Sequence, residues 1–163
     1  MELRTVEEED LEFLRDNINR QEIRTYVAHR RPVNLEQERG FLEEVVSSDE
    51  GMHLLVCRDG ESRGMISVEP HEEEGVGVLG LWIEPESQGE GLGTEATELV
   101  IDHAFSELRY HKLIAKVMKS NKPSRKLWER HGFQKEADLR SQVYTGGGYE
   151  DVLLYGLLRD EWL

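Results

Sequence analysis

The segment Glu86-Ser87-Gln88-Gly89-Glu90-Gly91-Leu92-Gly93 constrains this chain more than any other. It lies between an apolar run, Val76-Gly77-Val78-Leu79-Gly80-Leu81-Trp82-Ile83, and a helical run from Thr94 to Leu108. A strand therefore feeds a glycine-rich turn, and the turn feeds a helix. Glycines let backbone N–H groups approach a ligand closely and turn inward together. The helix N-terminus adds partial positive charge at the same place. The segment reads as a phosphate-binding turn, and the chain is expected to hold a phosphorylated cofactor.

The rest of the pattern supplies a sheet around that turn. Glu2 to Val6 reads as a short edge strand, followed by helices with Leu11, Phe13, Leu14 and Ile18 on one side and Ile23, Tyr26 and Val27 on another. Asn34 caps a further helix with Phe41, Leu42, Val45 and Val46 inward. Met52 to Arg58 and Ser62 to Glu69 form a hairpin through Asp59-Gly60. The long helix is expected to bury Ala96, Leu99, Val100, Ala104, Phe105 and Leu108. Lys112 to Val117 reads as a central strand. Pro123 opens a short helix that Gly132 closes, and strands from Gln134 to Tyr144 and Tyr149 to Leu158 end the chain. Neither a repeat nor a linker divides residues 1–163, so one α/β domain is expected.

Charge and cysteine content narrow the function. The net charge of −14 leaves no positive field to collect the phosphates of a nucleic-acid duplex. It suits a cationic acceptor, and equally a solvated acidic surface. The single Cys57, set in His53-Leu54-Leu55-Val56-Cys57, reads as a small buried apolar residue in a chain from a reducing compartment. Met1 leads directly into charged sequence, and no apolar stretch approaches the ~18 residues of a membrane span, so a cytoplasmic location is expected. The histidines, His29 among them, show no metal-ligand spacing.

Gly91-Leu92-Gly93-Thr94-Glu95-Ala96 matches the dinucleotide fingerprint G-x-G-x-x-G/A. A dinucleotide fold also wants an acidic residue about twenty positions on. His111-Lys112-Leu113-Ile114-Ala115-Lys116 offers none. A different pattern fits: Gln88-x-x-Gly91-x-Gly93 resembles the pyrophosphate signature R/Q-x-x-G-x-G/A of the GNAT superfamily. Asn121-x-x-Ser124-x-x-Leu127-Trp128-Glu129-Arg130-His131-Gly132-Phe133 resembles its second motif. The opening strand with Glu9-Asp10-Leu11, and the ending from Tyr149 to Trp162, resemble the RimJ/RimL-like branch.

The resemblance implies a mixed, mostly antiparallel sheet of six or seven strands flanked by helices, with the N-terminal helices walling the acceptor side. It implies acetyl-CoA as donor, an amine as acceptor (a protein N-terminus or a polyamine), no metal, and is compatible with a homodimer. Backbone amides of Gln88, Gly89, Glu90, Gly91, Leu92, Gly93 and Thr94 would cradle the pyrophosphate. Leu81, Trp82 and Ile83 would pair with the pantetheine arm like an added strand, and an N–H there would polarise the thioester carbonyl; Trp82 reads equally as core. Asn121 would bond the arm or cap its helix, with Leu127 and Trp128 packing beside it. Many members carry Tyr where Trp128 stands, and an indole N–H is too weak an acid to protonate a thiolate. Ser124, one turn earlier on the same face, is then the proton donor or merely a residue of the first helical turn. Glu84 is the first candidate for the base that deprotonates the amine, ahead of Glu69 and Glu150. An acyl-CoA-binding sensor without catalysis is the alternative.

Overall fold

In the computed structural model, which describes residues 1–27 and 31–162, strands β1 (Glu2–Thr5), β2 (Met52–Arg58), β3 (Glu61–Pro70), β4 (Val76–Ile83), β5 (Lys112–Met118), β6 (Gln134–Tyr144) and β7 (Tyr149–Leu158) pair into one sheet. Their spatial order is β1-β2-β3-β4-β5-β7-β6. All neighbours run antiparallel except β4 and β5. The parallel step is forced by the connection: the glycine turn and α4 (Leu92–Ser106) carry the chain back before β5 starts. The mixed, mostly antiparallel sheet expected from the sequence is present.

Helices cover both faces. α4 and α5 (Lys122–Arg130) pack on one side, over a core that includes Val56, Ile66, Val68, Leu79, Val100, Leu113, Trp128 and Tyr155. The other face carries α1 (Leu11–Ile18), α2 (Gln21–Arg24) and α3 (Leu35–Phe41), with Leu14, Ile23, Leu55, Cys57 and Trp82 beneath them. Alternation along β2 explains the division: Val56 joins one cluster and its neighbours Leu55 and Cys57 the other. Cys57 is buried, as its apolar setting requires. A last helical turn, α6 (Arg159–Trp162), closes the chain against α4 through Trp162 Nε1, which donates to Asp102 Oδ1 at 2.6 Å.

Two expected helix faces need correction. α4 starts at Leu92, ahead of the expected Thr94, and its buried stripe runs through Ala96, Thr97, Val100, Ile101, Ala104 and Phe105. Leu99 sits about half a turn from both Thr97 and Ile101 and is 50% exposed. Leu108 lies beyond the helix end and is exposed as well. Phe41 at the end of α3 and Leu42 and Val46 after it are part-buried, but Val45 faces out. His29 lies outside the described residues.

Candidate active site

β4 and β5 pair only from Val76↔Lys112 to Leu79↔Ala115. Beyond that point β4 stays with β3 as far as Gly64↔Ile83, and β5 stays with β7 as far as Met118↔Val152. The sheet therefore splits down its middle, leaving the backbone of Gly80 to Ile83 without a partner on that side. A cleft of about 1390 Å³ fills the split and runs out over α4 and α5. It exceeds the range of ~300–1,000 Å³ typical of small-molecule sites, as a long ligand requires.

The glycine turn forms one end of this cleft. Pro85 fixes a single turn, Pro85–Ser87, and the Gln88 side chain then donates to the carbonyl of Ile83 at 2.9 Å, folding the loop back onto the end of β4. Gly89 (φ 81°) and Gly91 (φ 87°) take left-handed conformations that a side chain would strain, and Gly91 is the residue before the first turn of α4. Glu95 donates to Gly91 O at 3.0 Å. Among the described residues, the N–H groups from Gly89 to Thr94 have no intrachain acceptor. Orphan donors at a helix start, with the helix dipole behind them, form an anion site.

α5 brings polar groups to the opposite lip. Asn121 Oδ1 accepts from Ser124 N at 3.3 Å, so Asn121 caps the helix while its NH₂ keeps its donors. Trp128 Nε1 donates to Ser124 Oγ at 3.1 Å. Trp128 itself is buried and meets Phe133 edge-on, with ring centroids 5.2 Å apart. An indole N–H is too weak an acid to supply a proton, but here it fixes the orientation of the Ser124 hydroxyl. With one lone pair of Ser124 Oγ taken by the indole, its O–H is left to donate elsewhere.

Leu81, Trp82, Ile83, Gln88, Gly89, Gly91, Leu92, Gly93, Thr94, Asn121, Ser124, Leu127 and Trp128 all line the cleft. The Trp82 ring stacks on Phe13 at 5.8 Å in the core, while its main chain borders the split. Glu90 is the exception, because its carboxylate turns outward to Arg58 Nη1 at 2.9 Å. Glu84 also departs from expectation. Its Oε1 accepts from Arg63 Nη1 at 3.0 Å and from Ser87 Oγ at 2.8 Å, and it does not line the cleft. Glu69 Oε1 lies 2.8 Å from His53 Nε2, and Glu150 Oε1 accepts from Ser120 N at 2.6 Å. In this structure each of these three carboxylates is engaged by a partner outside the cleft lining.

Among the described residues, Glu22 is the carboxylate on the lining. It stands on α2 with Gln21, Thr25 and Tyr26 nearby, and Gln142 and Val143 of β6 enter the lining as well. Sequence reasoning missed Glu22 because one acid among 34 Asp and Glu carries no signal. It missed Gln142 because a bulge places it: the β6–β7 register slips between Leu139↔Val152 and Val143↔Glu150. Ser141, at φ 47°, is held in the bulge by Asp151 Oδ1, which accepts its N–H at 2.8 Å. No group of three metal-ligating side chains forms among the described residues.

A ligand for this cleft carries a diphosphate for the amide cluster and a narrow arm for the split, which is the division of labour in acetyltransferases that use acetyl-CoA. Residues 1–134 match the acetyltransferase (GNAT) domain, and the chain belongs to the GNAT family of N-acetyltransferases. It is 30% identical over 163 residues to the SPbeta prophage-derived N-acetyltransferase YokL of Bacillus subtilis, covering 98% of this chain and 90% of that one. It is 26% identical to the spermidine N(1)-acetyltransferase of Escherichia coli, over 100% of this chain and 88% of that one. The fold superposes on the Vibrio cholerae spermidine N-acetyltransferase solved with CoA and spermine at a TM-score of 0.91, with 22% identity over 99% and 96% of the two chains. It superposes on RimL, the ribosomal L7/L12 α-N-protein acetyltransferase solved with CoA, at a TM-score of 0.87, with 18% identity over 98% and 94%.

Proposed function

We propose that this chain moves an acetyl group from acetyl-CoA to a primary amine by direct attack in a ternary complex, and that its acceptor is the α-amine of a peptide or protein rather than a polyamine. One observation carries the first part: the N–H groups of Gly89, Gly91, Leu92, Gly93 and Thr94, unpaired among the described residues, border the same cleft as the split between β4 and β5. A diphosphate on those amides lays its pantetheine arm along Leu81 to Ile83, where a main-chain N–H stabilises charge on the thioester oxygen. The amine nitrogen bonds to the acetyl carbon, the C–S bond breaks, and Ser124 Oγ–H is placed to protonate the departing sulfur. Glu22 is the lining carboxylate available to take the ammonium proton, directly or through water. Cys57 is buried and unavailable as a nucleophile, which favours the ternary complex, and an unpaired thiol suits the cytoplasm.

The acceptor preference rests on the lining of the other half of the cleft. Gln21, Thr25, Tyr26, Gln142 and Val143 stand there with Glu22. A single carboxylate matches one ammonium, whereas a polyamine presents several cations to be matched. Amides and an aromatic ring match the backbone of a peptide. A thiol-release assay with a panel of peptide N-termini, spermidine and spermine tests this. Turnover of peptides at least about tenfold above polyamines in kcat/KM is expected. Preference for spermidine overturns the acceptor reading, and CoA binding without turnover on any amine makes the chain a sensor.

A further inference from the structure

Lys116 stands where a lysine is least expected in this sheet. β5 is an interior strand, with β4 on one side and β7 on the other. Its residues Leu113, Ala115 and Val117 join the core under α4 and α5. Lys116 belongs to the opposite set, between Ile114 and Met118, each only 5% exposed. Flanked by these two buried side chains, Lys116 is nevertheless exposed. Register accounts for this. Leu79↔Ala115 is the last pair of β4 and β5, so Lys116 is the first residue of β5 past the point where the sheet opens. Its exposure is to the cleft, which it lines.

The face that Lys116 shares is the floor of the acceptor half. Met118 pairs with Val152, and Val152 with Leu139, and directly opposed residues share a face. All three line the cleft and make an apolar floor beside the ammonium. α2 packs over this same face and brings Glu22 to the lining. Among the described residues, Lys116 has neither a hydrogen-bond nor an ion-pair partner, and nothing joins it to Glu22. The lysines on either side of it in sequence differ: Lys112 Nζ meets Glu136 Oε2 at 2.8 Å, and Lys119 Nζ meets Asp138 Oδ2 at 3.0 Å. In a chain with 34 acidic residues, partners for a lysine are plentiful. A cation kept apart from all of them, at the vertex of the split, points to an anion that arrives with the ligand.

We propose that Lys116 is a specificity-determining residue that pairs with a carboxylate of the acceptor, so that the preferred substrate is a peptide N-terminus carrying Asp or Glu close behind its α-amine. The inference rests on the peptide reading of the acceptor half. Glu22 meets the ammonium end and Lys116 the carboxylate, so charges of both signs orient one acceptor. The same lysine presents a like charge to a polyamine, which disfavours it.

Thiol release is measured with C-terminally amidated peptides that differ in one residue, Glu, Gln or Lys, placed in turn at the first, second and third positions. Free alanine and spermidine complete the panel. The wild type is expected to favour Glu over Gln about three- to tenfold in kcat/KM at one of these positions, chiefly through KM, and to disfavour Lys there. Lys116→Gln is expected to bring the Glu/Gln ratio to about one, and Lys116→Arg to keep it. Lys116→Glu is expected to invert the preference in favour of Lys. The ratio is the readout, so activity lost equally on all peptides through damage to the fold does not imitate the result. A wild type that treats Glu and Gln alike at every position, or a preference that survives Lys116→Gln, overturns the role of Lys116 and leaves the peptide reading standing. Free alanine turned over faster than every peptide places the carboxylate on the α-carbon and overturns the acidic-peptide assignment. Peptides no better than spermidine overturn the acceptor reading itself.

Discussion

At the scale of single residues, the proposed proton donor is Ser124, one turn before Trp128 on α5. Ser124 Oγ accepts the indole N–H at 3.1 Å, so its own proton is directed by a side chain that is itself locked in the core. Ser124→Ala is expected to lower kcat about ten- to a hundredfold with little change in KM for acetyl-CoA, measured in steady state with saturating acceptor. Trp128→Phe removes only the orienting N–H and is expected to cost a few-fold in kcat, on the order of 1 kcal/mol. A Ser124→Ala enzyme with wild-type kcat would remove the serine from the reaction. The carboxylates divide in the same way. Glu84 is committed to Arg63 and Ser87, whereas Glu22 borders the cleft. A base that accepts the ammonium proton inside the complex lets the reaction run below the amine's own pKa of ~8. Glu22→Gln is therefore expected to shift the rise of kcat/KM to higher pH and to lower the rate at neutral pH by about tenfold or more. Glu84→Gln, read in the same pH series, leaves the position of that rise unchanged.

At the scale of elements, the parts of the site that come from local chemistry were legible in advance. A strand, a glycine turn and a helix follow one another in sequence, so that succession could be read without knowing the rest of the sheet, although the N–H of Gln88, expected in the cradle, is taken by the Pro85 carbonyl at 3.4 Å. The same holds for Asn121 and Ser124, whose cap and helix spacing are local. What could not be read is where non-neighbours meet. Leu99 was misplaced because the stripe of α4 depends on which turn docks against the sheet, not on apolar content alone. Gln142 was invisible because the Ser141 bulge depends on Asp151 in the partner strand. The partners of Glu84 were not legible, because its position at the end of β4 says nothing of Arg63, which arrives from β3. The cradle itself gives a sharp prediction. Gly91 holds φ 87°, and a Cβ there meets no atom within 4 Å, so the substitution costs backbone strain rather than a clash. Gly91→Ala is expected to lower stability by about 1–2 kcal/mol in denaturant unfolding. It is also expected to weaken CoA binding by about tenfold, as the loop turns its amides out of register. Unaltered CoA affinity in a destabilised variant would show that these amides do not hold the diphosphate.

At the scale of the whole molecule, a chain of net charge −14 has to bind an anionic coenzyme and a cationic acceptor in one cleft. The global field favours the acceptor and opposes the coenzyme. α5 offsets this locally: Lys122, Arg125, Lys126 and Arg130 stand on it against the lone acid Glu129, and Arg130 reaches the lining. Salt separates these contributions, because screening shortens the reach of the field from about 30 Å at 0.01 M to about 10 Å at 0.1 M. Short-range contacts to the α5 cations survive that change better than the long-range field does. As salt rises, kcat/KM for the amine acceptor is therefore expected to fall, about two- to threefold for a peptide bearing one positive charge and more steeply for spermine. KM for acetyl-CoA is expected to change less, since screening relieves global repulsion while it weakens local attraction. Thermal unfolding followed in the same salt series is expected to move upward, because the carboxylates that repel one another are then screened. An acidic surface that has no part in acceptor capture gives the thermal shift alone. Acceptor kinetics that stay flat while Tm climbs would therefore assign the charge to the surface and leave selection of the amine to Glu22 and its neighbours.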